Sequence, residues 1–256
     1  LVKFRTENNQ NFNALLDTLD AFIRINEGDI AFDLLQSLKT DQVSNEDPNT
    51  LLYFSILCNR VQFGLLKFKL MAKVFDKNPN FRSLNTMKLF YPAWYLDVVS
   101  TYKDRINPFL IMALIRQESA FNPRAHSAAD ARGLMQLLPR TGQQFGRVSK
   151  QQLFDPKKNI DSGVRFFSYL MKRYDNQVHL ALAAYNAGPT AVDGWMKRYP
   201  TDNTLLFTDM VPFKETREYV ASILKNWYWY HQLYGNGTFP SQQSSNTVKT
   251  EDLVKN

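Results

Sequence analysis

The chain has 256 residues, room for one large domain or two modest ones, and its 44% hydrophobic content is enough for a packed core. No apolar run reaches membrane-spanning length, and a single cysteine, Cys58, excludes an intrachain disulfide. The formal net charge of +7 and pI near 9.3 either favour an anionic partner or serve solubility alone, and no Lys/Arg block of the kind that marks a nucleic-acid arm is present.

The periodicity is helical nearly throughout, with no convincing alternating strand. In "NFNALLDTLDAFIRI", Phe12, Leu15, Leu16, Leu19, Phe22 and Ile23 share one face. "NEG" breaks the chain, and "DIAFDLLQSL" carries a second stripe of Ile30, Leu34, Leu35 and Leu38. Asp47 and Pro48 read as N-cap and first helical residue of "NTLLYFSILCNRVQFGLLKFKLMAKVF", a helix pair turning near Gly64, in which Cys58 is a buried small hydrophobe. Short consecutive helices without a clean repeat predict a helical-hairpin, solenoid-like region over residues 1–90. Near residue 90, "LFYPAWYLDVV" opens a more aromatic section. Residues 236–256 are polar and aperiodic, which predicts a mobile or loosely docked tail. The sequence starts at Leu1 with no signal-peptide pattern; a secretion signal, if the protein has one, is not in it.

Asn107 and Pro108 read as N-cap and N1 of "PFLIMALIRQES", and Pro123 predicts that this helix ends near Asn122. Glu118 therefore sits in a last turn, in an almost wholly apolar run. The helix C-terminus and the apolar surroundings both disfavour its ionised form, as a general acid requires. The competing reading is a surface Glu118 paired with Arg116 or Arg124. "LAAYNAGP" reads as a helix ending at Gly188, which brings Tyr185 and Asn186 to a helix end. "KETREYVASILKNWYWYHQLY" reads as one helix with Glu215 and Tyr219 on one face. "DPKKNIDSGVRFFSYL" reads as structural: Asn159 or Asp161 caps a helix, and Phe166, Phe167 and Leu170 pack. Trp195, Trp227 and Trp229 fit core positions better than sugar platforms. His126, His179 and His231 show no paired ligand spacing, so no metal site is expected, and there is no nucleophile-elbow or phosphate-loop motif.

"ESAFNPRAHSAADARGLMQLLPRTG", "LFDPKKNIDSGVRFFSYL", "ALAAYNAGP" and "VPFKETREYV" together resemble, in order and spacing, the soluble lytic transglycosylase family of the lysozyme-like, family 1 type. The resemblance spans roughly residues 91–234. It implies an all-α chain: a lysozyme-like catalytic domain over 91–235, preceded by the helical region and followed by the polar tail. It implies Glu118 as the catalytic acid and Ser119, Ser127, Gln136, Tyr185, Asn186, Glu215 and Tyr219 as substrate-binding residues. Gly133 would allow a tight backbone approach at the cleft. Gln136 suits an acetamido group or hydroxyl of a sugar, or else caps its loop. Ser119 would orient the acid, or bond its own helix backbone. Glu215 would line the groove, or simply favour the helix dipole.

The implied activity is cleavage of the β-1,4 bond between N-acetylmuramic acid and N-acetylglucosamine in peptidoglycan, forming a 1,6-anhydro end. A single carboxyl serves as acid and then base, with the substrate's acetamido group assisting. No cofactor is needed. The implied partner is the glycan strand, not nucleic acid, and the implied location is the periplasm or cell envelope. Three positions depart from the family pattern: Asp130 where a small residue is usual, Leu138 where Met is common, and Thr190 where Gly is common. An Asp tolerates positive φ better than most residues. Two rival readings are a goose-type lysozyme with Asp130, Asp161 or Asp193 as base, and a helical scaffold that binds glycan or protein without cutting.

Overall fold

The computed structural model describes residues 10–37, 46–199 and 203–235. The expected places of the Phe12 side chain, of Leu38 and of the 236–256 tail lie outside the described residues. Four helices open the chain: α1 (Gln10–Arg24), α2 (Gly28–Ser37), α3 (Pro48–Arg60) and α4 (Gly64–Lys77). Asp47 caps α3 by accepting from the Asn49 and Thr50 amides, with Pro48 at the first helical position. The three-residue turn between α3 and α4 places Gln62 in the left-handed region, at φ 56°. The apolar stripes meet in a core built on Leu16, Leu19, Leu35, Phe54, Leu57, Cys58, Leu70 and Val74, all buried. A short α5 (Leu84–Phe90), closed by a Ser83–Thr86 capping box, sends Met87 and Phe90 against both this core and the next.

The second core is built around α7 (Pro108–Ser119), whose residues Leu110, Ile111, Met112, Ala113, Leu114 and Ile115 are all buried. A helix apolar on every side must be a central one. Around it lie α6 (Leu96–Ser100), α8 (Pro139–Gly146), α9 (Pro156–Arg173), α10 (Val178–Ala187), α11 (Pro189–Met196), α12 (Thr204–Met210) and α13 (Lys214–Tyr234). The long α13 packs along α7 and also against α10, while α9 packs against α8 and α10. Trp195 and Trp227 are buried in this core, and Trp229 stacks on Tyr91. Among the described residues there is no strand, only isolated bridges His126–Arg132 and Arg132–Leu137, and the chain is all-α as expected.

The structure corrects three local expectations. The central helix α7 stops at Ser119 rather than near Asn122, because Ala120 and Phe121 both turn left-handed, at φ 49° and 66°. That turn drives the Phe121 ring into the core, where it is fully buried against Phe68 and Trp94. The cap of α9 is Asp155, accepting from the Lys158 amide with Pro156 at N1, and not Asn159 or Asp161. On α2, Ile30 is exposed, and Ala31 and Leu35 face the core.

One buried group has a clear thermodynamic cost. Lys67 of α4 is fully buried; its Nζ donates to Asn59 Oδ1 at 2.9 Å and lies 3.7 Å from the centre of the Trp94 ring. Burial pushes its pKa down to about 6. The folded state therefore holds this proton less well than the unfolded chain, so the cost of Lys67 grows as pH falls from the ordinary lysine range to about 6 and is constant below that. Lys67→Met is expected to stabilise the protein by on the order of 2 kcal/mol at pH 6, and by less as pH rises toward about 10. Denaturant unfolding at both pH values checks this. A loss of stability at pH 6 would mean that the contact with Trp94 outweighs the desolvation.

Candidate active site

The last turn of α7 carries Arg116, Gln117, Glu118 and Ser119 out of the core. The surface ion pairs that compete for Glu118 do not form. Arg116 turns away, with its guanidinium 3.7 Å from the centre of the Phe68 ring and 4.5 Å from both Phe90 and Tyr91, and it donates to the Phe90 carbonyl. Arg124 pairs instead with Asp29 at 3.2 Å. Glu118 is left partly buried with one protein partner, the Tyr219 hydroxyl of α13, which donates to its Oε1. Burial pushes the carboxyl's pKa up to about 7, and the Tyr219 hydrogen bond opposes that rise. Tyr185 completes the group: burial holds its phenol well above the usual tyrosine range, and the nearby Glu118 charge adds to this.

The segment that follows α7 folds back as a hairpin-like loop. Gly133 at φ +72° is its pivot, and a Cβ there would meet the Leu153 carbonyl at 2.1 Å and Asn159 Nδ2 at 2.4 Å. The tight approach expected at Gly133 is thus made to the protein's own framework. Three polar side chains fasten this loop. The Ser119 hydroxyl donates to Leu134 O at 2.7 Å. The Tyr185 hydroxyl donates to Met135 O at 2.7 Å. Asn159, fully buried, accepts from the Met135 amide at 2.8 Å and donates to Arg132 O at 2.9 Å and Leu153 O at 2.8 Å. These bonds take up the Arg132, Leu134 and Met135 carbonyls and the Met135 amide from inside, so the loop is fastened beside Glu118.

The other expected residues sort by position. Ser119 does not touch the carboxyl; besides Leu134 O its hydroxyl lies near Ile115 O, so it ties helix to loop. Gln136, itself left-handed at φ 45°, spends both N–H groups on the Ala125 and Gly133 carbonyls, which leaves the amide oxygen for a ligand. Ser127 accepts from the Ala131 amide and closes the 127–131 turn. In that turn Asp130 takes φ 64°, as a small residue would, and pairs with His126 at 2.8 Å and with Arg132. Asn186 accepts from Thr216 Oγ1 at 2.6 Å, which fixes the end of α10 to α13 one turn before Tyr219. Glu215 stands exposed in the first turn of α13 and shows no hydrogen bond or ion pair with Glu118. Leu138 and Thr190 are exposed. Asn159 was the residue sequence reasoning missed. The available signal was a polar side chain in line with the buried Ile160, Gly163 and Phe167 of α9, where it had to find partners.

A groove of about 410 Å³ opens beside this site rather than over the carboxyl, between Asn122, Pro123, Arg124, Tyr95 and the turns at Gly28 and Gln62. No group of His, Cys, Asp or Glu among the described residues is arranged to hold a metal.

Residues 99–207 match the transglycosylase SLT domain family. Over 156 residues the chain is 34% identical to the soluble lytic murein transglycosylase of Escherichia coli strain K12, an alignment covering 57% of this chain and 24% of that protein. The putative soluble lytic murein transglycosylase of Haemophilus influenzae is 40% identical over 153 residues, covering 56% and 26%. Among solved structures, an inactive glutamate-to-glutamine variant of the lytic transglycosylase Slt from Pseudomonas aeruginosa superposes with a TM-score of 0.70 at 25% identity, over 89% of this chain and 38% of that one. The chain therefore spans about a quarter of the length of these curated relatives. Glu118, its fastened loop, Tyr185 and Asn186 all fall inside the segment that matches the transglycosylase SLT domain, and the described chain has the lysozyme-like all-α fold of these lytic transglycosylase structures.

Proposed function

We propose that this chain is a peptidoglycan lytic transglycosylase that cuts the β-1,4 bond between N-acetylmuramic acid and N-acetylglucosamine and leaves a 1,6-anhydro end. The observation that carries the reading is one desolvated carboxyl, Glu118, with a pKa near 7 and a tyrosine on one oxygen, which leaves Oε2 to carry the transferable proton. The names of its relatives, murein transglycosylases, support the substrate class. We place the catalytic unit at residues 91–235, since α13 shares the core of α7, and the helical layer at 1–90. An envelope location, most simply the periplasm, follows from where the polymer lies. The net charge of +7 suits an anionic glycan–peptide polymer.

The chemistry balances without a second carboxylate. Glu118 gives its proton to the glycosidic oxygen as the C1–O bond breaks, and the muramic acid acetamido oxygen bonds to C1. The ionised Glu118 then takes the proton of the same sugar's C6 hydroxyl. Its oxygen closes on C1 and releases the acetamido group. No water enters, and Glu118 ends protonated. A hydrolytic route would need a free base, and the three candidates are engaged: Asp130 with His126 and Arg132, Asp161 with Tyr102 and Arg165, Asp193 with Arg173 and Tyr174. Tyr185, the Gln136 amide oxygen and Asn186 line the sugar side, and Glu215 meets the glycan strand from the exposed first turn of α13. Ser119 and Ser127 act through the turns they close.

Digestion of purified sacculi by the wild-type chain is expected to give products lighter by one water than hydrolytic ones, and a digest containing only reducing ends overturns the proposal. Glu118→Gln is expected to lower kcat by about 10³-fold or more. Because the acid must start protonated, kcat/KM is expected to fall as pH rises through about 7. Tyr219→Phe removes the hydrogen bond that favours the ionised form, so it should move that limb to higher pH and lower kcat by roughly tenfold. A pH–rate series on both chains checks the direction, and a limb displaced to lower pH would contradict the assigned role of Tyr219.

A further inference from the structure

We propose that the N-terminal helical layer is part of the active site: Gly64 and Phe68 of α4 are positioning residues that hold the last turn of α7, and with it the Glu118 carboxyl, in place against Tyr219. The proposal rests on Glu118 as the acid and gives the first helices a role in its chemistry.

Gly64 opens α4, and its own backbone is not in the left-handed region, so it is not kept for its φ. It is kept for space. A Cβ built there would lie 1.9 Å from the Ala120 carbonyl oxygen and 3.0 Å from its carbon, contacts that no real side chain tolerates. Ala120 is the C-cap of α7, two residues past Glu118, and it holds the left-handed φ of 49° that ends the helix. The next residue, Phe121, repeats that conformation at φ 66° and is fully buried. Its ring meets Phe68 at 6.4 Å and Trp94 at 5.7 Å, both in edge geometry. Trp94 is backed in turn by the buried Lys67 of α4.

Phe68 also reaches the other side of the acid. The Arg116 guanidinium, two residues before Glu118, lies over its ring at 3.7 Å. The first helices thus grip the chain on both sides of Glu118, at Arg116 and at Ala120–Phe121. Glu118 itself points the opposite way, toward the hydroxyls of Tyr219 and Tyr185, which are the groups of α13 and α10 that face it. Two consecutive left-handed non-glycine residues are costly, and surrounding structure must over-determine them. Gly64 and Phe68 supply that constraint. A shift of the last turn by even a fraction of the distance an added methyl demands would move the carboxyl off Tyr219 and admit water, and misplacement on that scale costs rate without costing binding.

The test uses the full chain with three variants: Gly64→Ala, Phe68→Leu, and Leu70→Ala as a control. Leu70 is fully buried in the N-terminal core, so its loss destabilises α4 without touching the acid's helix. Gly64→Ala and Phe68→Leu are expected to lower kcat by about 10- to 100-fold with KM within about twofold, and to move the pH limb below its wild-type position, because hydration removes the desolvation that dominates the carboxyl's pKa and outweighs the lost Tyr219 hydrogen bond. The control is expected to melt lower while keeping kcat and the limb. A second readout needs no activity. A carboxyl with a raised folded pKa stabilises the folded state fully only below its unfolded pKa of about 4.5, and this is lost as pH rises through about 7. Glu118→Gln should therefore raise Tm over wild type at pH 8 and not at pH 5. That gap should shrink in the Gly64→Ala and Phe68→Leu backgrounds and persist with Leu70→Ala.

If Gly64→Ala does not fold, Phe68→Leu decides the matter. Unchanged kcat, limb and Tm gap in the folded variants, or an equal loss in the control, overturns the proposal. If the wild-type chain cuts no glycan, the transglycosylase reading fails, and the Tm gap still decides whether α4 positions the carboxyl.

Discussion

Desolvation of one carboxyl organises this structure. A glutamate at the end of a helix that is apolar on every face has no cheap way to remain charged. Its helix C-terminus adds partial negative charge, and its hydrogen-bond partner among the described residues is a neutral hydroxyl. Holding a carboxyl near pKa 7 rather than 4.5 costs on the order of 3 kcal/mol of stability once it is ionised, before the discount for solvent screening at its partly exposed edge. A typical domain has only a few times that in hand. The rest of the molecule is consistent with tolerating that cost: a continuous core around α7, a long α13 laid along it, and a polar loop with its hydrogen bonds satisfied from within.

That loop shows how the fold obtains a rigid wall without regular structure. Between Ala125 and Leu137 the backbone has two isolated bridges and three residues at positive φ: Asp130, Gly133 and Gln136. Such a segment would be mobile if its carbonyls faced water. Here Ser119 and Tyr185 each take one backbone group, Asn159 takes two, and the Gln136 side chain takes two more. Tyr185 is therefore double-purposed. Its ring stands beside Glu118 while its hydroxyl holds the wall, so the surroundings of the carboxyl and the order of the loop are coupled through one side chain.

Much of this was legible from residue order. Asp47–Pro48 and Asn107–Pro108 fix two helix starts through local chemistry alone, and both are seen. The bounds of α13 and the end of α10 at Gly188 followed from the same short-range rules. Asp130, a residue type that tolerates positive φ, adopts it at 64°. What stayed hidden was set by tertiary contacts. Asp155–Pro156 carries the same start signal as Asp47–Pro48, while Asn159, which also suits a cap, binds a loop more than twenty residues away in the chain. The end of α7 falls at Ser119 because Phe121 must enter the aromatic pocket formed by Phe68 and Trp94, and no local signal marks that. Ser119 and Gln136 carried polar groups that suited a sugar equally well, and only the folded loop shows which groups the backbone had already claimed.

The placement of Arg116 answers the question that Glu118 poses. A cation two residues from the acid looks like its natural counter-ion, and an opposite charge within a few ångströms would pull a carboxyl pKa down by one to three units. Such an acid would be ionised at neutral pH and useless as a proton donor. Residues two apart on a helix do not face each other, so the helix itself separates the pair. The aromatic faces of Phe68, Phe90 and Tyr91 then hold the guanidinium on the far side, and the Phe90 carbonyl accepts its hydrogen bond. Arg116 can thus clamp the helix to its neighbours through cation–π contact while leaving the field at Glu118 to two tyrosines and the helix end. The same residue on the carboxyl's own face would give a tighter ion pair and a carboxylate already ionised at neutral pH, with no proton to give.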